Sequence, residues 1–139
     1  MDAIERGLVR DRATERWLRP ALAVLAVSQV AAGVWEAVAP SSFFKLARIG
    51  AYNEHFIRDL ASLYIAYGAT LLIAVRRPSW RVPVLALGTI QYGLHFVSHI
   101  IDVGKGHPGW VGPVNAALVG VGLLAFAGLL AACIRRQRT

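Results

Sequence analysis

Four long apolar segments limit the fold of this chain more than any other feature. They cover about residues 21–39, 56–75, 82–101 and 110–134. A helix rises 1.5 Å per residue, so roughly 20 residues cross a bilayer core of ~30 Å, whereas a barrel strand would be about half as long and would alternate. We therefore predict an all-α integral membrane protein, an antiparallel bundle of four transmembrane helices that forms a single domain over residues 1–139.

The composition agrees with a membrane environment. Hydrophobic residues make up 56% of the chain and charged residues 17%, against about 45–50% and 25% in soluble domains. The net charge of +7 raises the question of a nucleic-acid partner. However, the basic residues flank the apolar segments and form no stripe with aromatic residues. We expect the lipid bilayer, and no nucleic acid, as the partner.

The distribution of arginine and lysine predicts the orientation. Residues 1–20, 76–81 and 135–139 together carry eleven of them, and the connections on the other side carry four. The positive-inside rule therefore places both termini in the cytoplasm, with residues 1–20 as a cytoplasmic segment. The connections 40–55 and 102–109 would face outward. All four tryptophans fall near the predicted interfaces, as an aromatic belt requires.

Two further segments have the spacing of short helices. The outer connection over residues 40–55 mixes apolar and charged residues, which predicts an amphipathic helix on the membrane surface. Ser41 or Ser42 would cap its start and Gly50 would end it. Residues 1–16 interleave acidic and basic side chains, which predicts a cytoplasmic helix with i,i+4 ion pairs.

The cytoplasmic halves of the four spans carry almost no polar residues, which predicts plain apolar packing there. Gly120, Gly122 and Gly128 in the last span favour close approach of a neighbouring helix. Cys133 is the only cysteine, which excludes an intrachain disulfide, and we interpret it as a packing residue.

Polar side chains concentrate instead in the outer ends of the spans. They are Glu36, Asn53, Glu54, His55, Arg58, Asp59, Gln91, His95, His99, Asp102 and Asn115. Ionisable residues inside a membrane are costly and indicate a functional site. At 100° per residue, the third-span set from Gln91 to Asp102 forms one narrow stripe, and His55, Arg58 and Asp59 share one face of the second span. We expect both stripes to face the bundle interior and to line one outward-facing pocket.

A metal ion is one ligand that this pocket would suit. His95 and His99 stand four residues apart on one helix face, and Asp102 adds a carboxylate one turn later. His55 or Glu54 could complete the coordination. Histidine and carboxylate ligands without thiolates suit zinc, iron or manganese.

Two organic cofactors are alternatives. A haem would take His55 and a third-span histidine as axial ligands, with Arg58 at a propionate. A quinone would form hydrogen bonds with a histidine and with Tyr64, Tyr67 or Tyr92. In a purely structural interpretation, the same polar groups bond one another and fix helix register.

The stretch Asn53-Glu54-His55-x-x-Arg58-Asp59, the small residues that follow it and the four short spans resemble the DoxX-like group of small bacterial membrane proteins. The resemblance covers roughly residues 20–134. It implies a multi-pass protein of the bacterial cytoplasmic membrane with an accessory role in a redox complex, since some members are linked to redox complexes or quinone oxidation. It identifies no catalytic residues, and the histidine stripe of the third span is not part of the general pattern.

Three functional hypotheses follow. The first is a membrane protein that binds a metal ion or a small redox ligand in the outer pocket, as an accessory to a redox complex. The second is a non-catalytic subunit whose polar residues specify helix packing, a homo-oligomer or docking to a membrane protein partner. The third is a small enzyme that acts on a lipid or isoprenoid at the outer leaflet, with His95 or Asp59 as general acid or base.

Overall fold

The computed structural model describes the backbone of residues 3–48 and 50–137 and the side chains of residues 15–48 and 50–136. The five α-helices are α1 (Ala3–Val38), α2 (Pro40–Ala47), α3 (Glu54–Arg76), α4 (Arg81–Ile101) and α5 (Val111–Gln137). Short 3₁₀ turns lie at Pro78–Trp80 and Val103–Lys105, and the described residues form no strand. Four stretches are long and apolar enough to cross a membrane: Glu15–Val38, Glu54–Arg76, Pro78–Ile101 and Val111–Arg136. The predicted all-α fold with four spans is confirmed.

We call the two ends of the bundle the terminal end and the α2 end. The terminal end holds the start of the first span, the turn at Pro78–Trp80 and the last turn of α5. The α2 end holds α2 and residues 102–110. The tryptophans mark both ends, with Trp17 and Trp80 at the first and Trp35 and Trp110 at the second.

The first helix differs from the prediction because it is continuous. We expected a cytoplasmic helix over residues 1–16 and a separate span from residue 21, but α1 runs through Pro20. A proline inside a helix removes one backbone hydrogen bond. Leu18 and Leu22 on either side of Pro20 are fully buried, and this packing holds the helix together. The ion pairs predicted within residues 1–16 involve side chains that lie largely outside the described residues.

The predicted surface helix exists as α2, but both of its predicted ends are wrong. It begins at Pro40, whose fixed φ suits the first helical position, so neither serine caps it. It ends at Ala47, and the next residue, Arg48, caps it in the left-handed conformation (φ 48°), two residues before Gly50. The Arg48 N–H donates to the Phe44 carbonyl at 2.8 Å, so the backbone closes the helix without a glycine.

Small residues bring α1 and α3 into the closest helix pair of the bundle. A Cβ at Gly33 would lie 2.8 Å from the Ala61 carbonyl oxygen, and one at Gly68 would lie 2.9 Å from the Ala26 carbonyl oxygen. The two glycines lie on different helices, so each helix provides one close approach to the other. We call this pair the first hairpin.

The second hairpin consists of α4 and α5 and packs aromatic rings over glycines. Phe126 of α5 covers Gly88, and Tyr92 of α4 covers Gly122. Gly120 likewise lies under Phe96, with its Cβ position 3.2 Å from the ring, so two of the three packing glycines predicted in the last span are confirmed. The third was wrong, because nothing lies within 4 Å of a Cβ at Gly128.

A partly buried ion cluster around Glu15 joins the two hairpins at the terminal end. The Glu15 carboxylate of α1 accepts two hydrogen bonds from Arg81 of α4, at 2.9 and 2.8 Å, and one from Arg19 at 2.6 Å. Arg136 of α5 donates to the same carboxylate. Arg81 is only 3% exposed and also donates to the Ala74 carbonyl of α3 at 3.0 Å. These charged residues lie just outside the predicted spans, so the sequence analysis did not predict this cluster.

Replacing Glu15 should destabilise the whole bundle. In Glu15→Gln, the buried Arg81 guanidinium loses its counter-charge, and breaking a buried ion pair costs about 3 kcal/mol or more. We expect thermal unfolding in detergent to show a loss of that size. The control is Glu54→Gln, the same chemical change in an exposed pair with Arg58, which should cost under ~1 kcal/mol. Equal losses in the two variants would contradict this role of Glu15.

The glycine contacts offer a matched pair of substitutions. Gly68→Ala adds a methyl group against the Ala26 carbonyl, and overpacking of this kind costs about 1–3 kcal/mol. Gly128→Ala adds the same methyl group to open space and should leave the free energy of unfolding unchanged or slightly raised. Thermal unfolding of both variants tests the close approach of α1 and α3 at Gly68. Equal stability of Gly68→Ala and Gly128→Ala would contradict that close approach.

Candidate functional site

A cavity of about 800 Å³ lies between the two hairpins toward the α2 end. All five helices contribute to its lining, and most of the lining residues are apolar. The terminal end of the bundle is filled by the core around Leu22, Leu71, Leu85 and Phe126. The cavity therefore begins where the core ends.

Gln29 and Tyr92 form the boundary between core and cavity. The Gln29 amide nitrogen lies 2.9 Å from the Tyr92 hydroxyl, which lies 3.1 Å from the amide oxygen. This contact joins α1 to α4 and so spans the two hairpins, and the Tyr92 ring packs on Phe126 at 5.0 Å. Tyr92 is among the predicted quinone partners, whereas the role of Gln29 was not predicted. The available signal was an amide in the middle of the first apolar segment.

Glu36 points into this cavity from the last turn of the first span. It is 1% exposed, and its Oε2 has no hydrogen-bond partner within the described part of the chain. Two more buried atoms share this property there, Oε1 of Gln91 and Nδ1 of His95. A buried polar group without a partner costs about 1–3 kcal/mol, and such groups in native proteins indicate a bound ligand, water or ion.

His95 and His99 form a pair on the wall of the cavity. Their Nε2 atoms are 3.0 Å apart, so one neutral ring donates a hydrogen bond to the other. Both rings also line a second, smaller groove of about 350 Å³ between α3 and α4, together with Phe56, Leu60 and Ser98. The histidine pair thus lies between the central cavity and the face of the bundle that lies against lipid.

The polar stripe of α3 does not face the interior, contrary to expectation. The His55 side chain is 89% exposed and lies 3.5 Å from Asp59, and Arg58 pairs with Glu54 at 2.6 Å. None of these four side chains lines the cavity. The reason is that α3 uses Ala61 and Gly68 to approach α1, and this contact turns the face of His55 and Asp59 outward.

The residues predicted to bind a metal ion are consequently separated. Within the described side chains, no three histidine, cysteine or acidic groups come together in a metal-binding arrangement. Asp102 lines the smaller groove near the histidine pair, but its carboxylate pairs with Lys105 at 2.6 Å. His55 and Glu54 lie on the exposed face of α3. Only His95 and His99 of that predicted set are in contact.

Two asparagines of the predicted pocket line the cavity and also hold the local structure. Asn53 caps α3 by accepting a hydrogen bond from the Phe56 N–H at 3.0 Å. Asn115 of α5 donates to the Ala47 carbonyl at the end of α2 at 2.8 Å. Phe43 and Phe44 of α2 also line the cavity. Helix α2 therefore covers the cavity like a roof, and the hydrogen bond from Asn115 holds it to α5 of the opposite hairpin.

No family model matches this chain, and no curated protein and no solved structure is significantly similar to it. The likeness to the DoxX-like group stays a prediction. The function has to be inferred from the cavity itself.

Proposed function

We propose that this protein binds a small amphipathic ring compound from the bilayer, of the quinone class, in the cavity between its hairpins. The observation that carries the proposal is the contrast inside the cavity. Its walls are mostly apolar, while Glu36 and His95, which line it, each hold a buried polar atom without a partner in the described structure. Pockets of a few hundred Å³ with apolar walls and a few convergent polar groups are typical of small-molecule sites.

The polar groups suit the edge of a quinone ring. A quinone carbonyl accepts hydrogen bonds, and Tyr64 and Tyr92, which line the cavity, carry hydroxyls of the kind that can donate them. The Nδ1 of His95 is a donor to the cavity when its Nε2 accepts from His99. For the reduced quinol, whose hydroxyls donate, the Glu36 carboxylate is an acceptor. One site can therefore hold both redox forms.

The smaller groove provides a place for an apolar tail. It shares Phe56, Leu60 and the two histidines with the cavity and lies between α3 and α4. A ring bound in the cavity could extend its isoprenoid tail along this groove into the hydrocarbon. A lipid or isoprenoid substrate would use the same path, so turnover of such a compound is the alternative outcome.

The separation of the metal-binding set makes an organic ligand the better supported choice. A chelating pair alone leaves a metal site incomplete, since protein sites generally supply at least three ligands. A haem held by His55 and a third-span histidine is also poorly supported, because His55 is on the exposed face of α3. A quinone ligand agrees with the accessory role in a redox complex that the DoxX-like resemblance implies.

Quinone binding can be tested on detergent-purified protein titrated with a short-tailed ubiquinone analogue. We expect saturable thermal stabilisation of the wild type. His95→Gln should weaken binding by about fivefold to tenfold, because each hydrogen bond is worth about 1–1.5 kcal/mol. His55→Gln is the matched control on the exposed face of α3 and should bind like the wild type.

The same preparation distinguishes the other outcomes. Elemental analysis could instead detect stoichiometric zinc, iron or manganese that is lost in His95→Gln. That result would identify a metal ion, and not a quinone, as the ligand. The absence of saturable binding, or an equal loss in His55→Gln, would contradict the proposal.

We propose further that both termini face the cytoplasm and that α2 lies outside the bacterial cytoplasmic membrane. The arginine distribution supports this orientation. In a Cys133→Ala background, Ser41→Cys should react with a membrane-impermeant maleimide in spheroplasts, whereas Thr139→Cys should react only after permeabilisation. The reverse pattern would invert the orientation.

A further inference from the structure

Another groove, separate from the smaller groove between α3 and α4, lies at the terminal end on the outer surface of the first hairpin. It has a volume of about 760 Å³ and runs between α1 and α3. Its walls are apolar and its rim is basic and aromatic. The walls are Ala23, Leu72, Ile73 and Val75, and the rim is Arg76, Arg77 and Trp80.

The charge of this groove is one-sided. Arg76 and Arg77 are exposed, and none of the described acidic side chains lines the groove. Among the ion pairs of the described side chains, neither arginine takes part. Arg81, a few residues later, is in contrast buried against Glu15. Within the described side chains, two guanidinium groups thus stand at the rim of an apolar groove without an acidic partner.

The last carbonyls of α3, which lie near the groove, already accept hydrogen bonds. The last carbonyls of a helix carry partial negative charge, which would repel a phosphate. Here the Ile73 carbonyl accepts from the Arg77 N–H at 2.8 Å, and the Ala74 carbonyl accepts from the Arg81 guanidinium at 3.0 Å. A weaker contact at 3.4 Å joins Arg81 to the Val75 carbonyl. These hydrogen bonds occupy the last carbonyls of α3 beneath the groove.

We propose that this groove binds one anionic phospholipid of the leaflet at the terminal end. Its acyl chain would lie along Ala23, Leu72 and Ile73, and its phosphodiester would sit between Arg76 and Arg77. Guanidinium groups bind phosphate oxygens with paired, charge-assisted hydrogen bonds, and basic pockets between spans are typical sites for anionic headgroups. The Trp80 ring lies where indole side chains occupy the membrane interface.

The position of the groove favours a lipid over a free phosphate ion. Its apolar walls belong to α1 and α3 within the stretches that can span a membrane. A phosphate ion would leave these walls uncovered, whereas a lipid uses the walls and the rim together. The site is independent of the central cavity, since the two share no lining residue.

Binding can be measured by native mass spectrometry and thermal shift of detergent-purified protein, with phosphatidylglycerol and phosphatidylcholine as probes. We expect one phosphatidylglycerol to bind and stabilise the wild type, and phosphatidylcholine to do so more weakly. Arg76→Gln and Arg77→Gln should each weaken phosphatidylglycerol binding about fivefold, from ~1 kcal/mol per arginine. Arg135→Gln, an exposed arginine of α5 at the same end, is the matched control and should keep the wild-type affinity.

The apolar half of the site is tested separately. Ala23→Leu fills the groove and should weaken phosphatidylglycerol binding, whereas Ala31→Leu, on an exposed position outside the groove, should not. If an arginine variant is not recovered in folded form, the comparison of Ala23→Leu with Ala31→Leu still tests whether the groove binds phosphatidylglycerol. Equal binding of the two lipids, an equal loss in Arg135→Gln or Ala31→Leu, or equal stabilisation by inorganic phosphate alone would overturn the proposal.

Discussion

The ion pair between Glu15 and Arg81 is the contact on which the rest of the structure depends. The Arg81 side chain of α4 is only 3% exposed, so its charge needs a partner. The Glu15 carboxylate of α1 provides one by accepting two hydrogen bonds from the Arg81 guanidinium. Because Arg136 joins the same carboxylate and Arg81 reaches the end of α3, all four spans meet at this point. The two hairpins are therefore fixed to each other at the terminal end, and toward the α2 end a cavity separates them.

The two ends of the bundle treat buried polar groups in opposite ways. At the terminal end the charges satisfy one another, which contributes to stability. At the α2 end, Glu36 and His95 keep polar atoms without partners in the described structure, although burial of such atoms is costly. The Gln29–Tyr92 contact separates the two regions. The proposed binding of a ligand would depend on this division, since a well-packed base can hold open a site whose polar atoms lack partners.

Helix packing also decides which polar residues reach that site. On α4 the whole histidine stripe lies along grooves, and both rings line the cavity. On α3 a stripe of similar polarity faces outward, because Ala61 and Gly68 are the residues that allow close approach to α1. Periodicity places residues on a common face of a helix, but the smallest residues on that helix determine which face is buried. The position of α2 over the cavity also depends on a neighbouring helix, since Asn115 of the opposite hairpin donates a hydrogen bond to it.

The amino-acid sequence by itself determined the four spans, the existence of α2 and the placement of Glu36, His95 and His99 at one site. Hydropathy and helical periodicity are local properties, so they can be calculated without knowing the neighbours. Only the tertiary structure decided that His55 and Asp59 face outward, that Glu15 and Arg81 meet across 66 positions and that Gln29 closes the cavity. These features depend on which helices lie side by side and at what distance, and that is set by the packing of small residues and the pairing of buried charges.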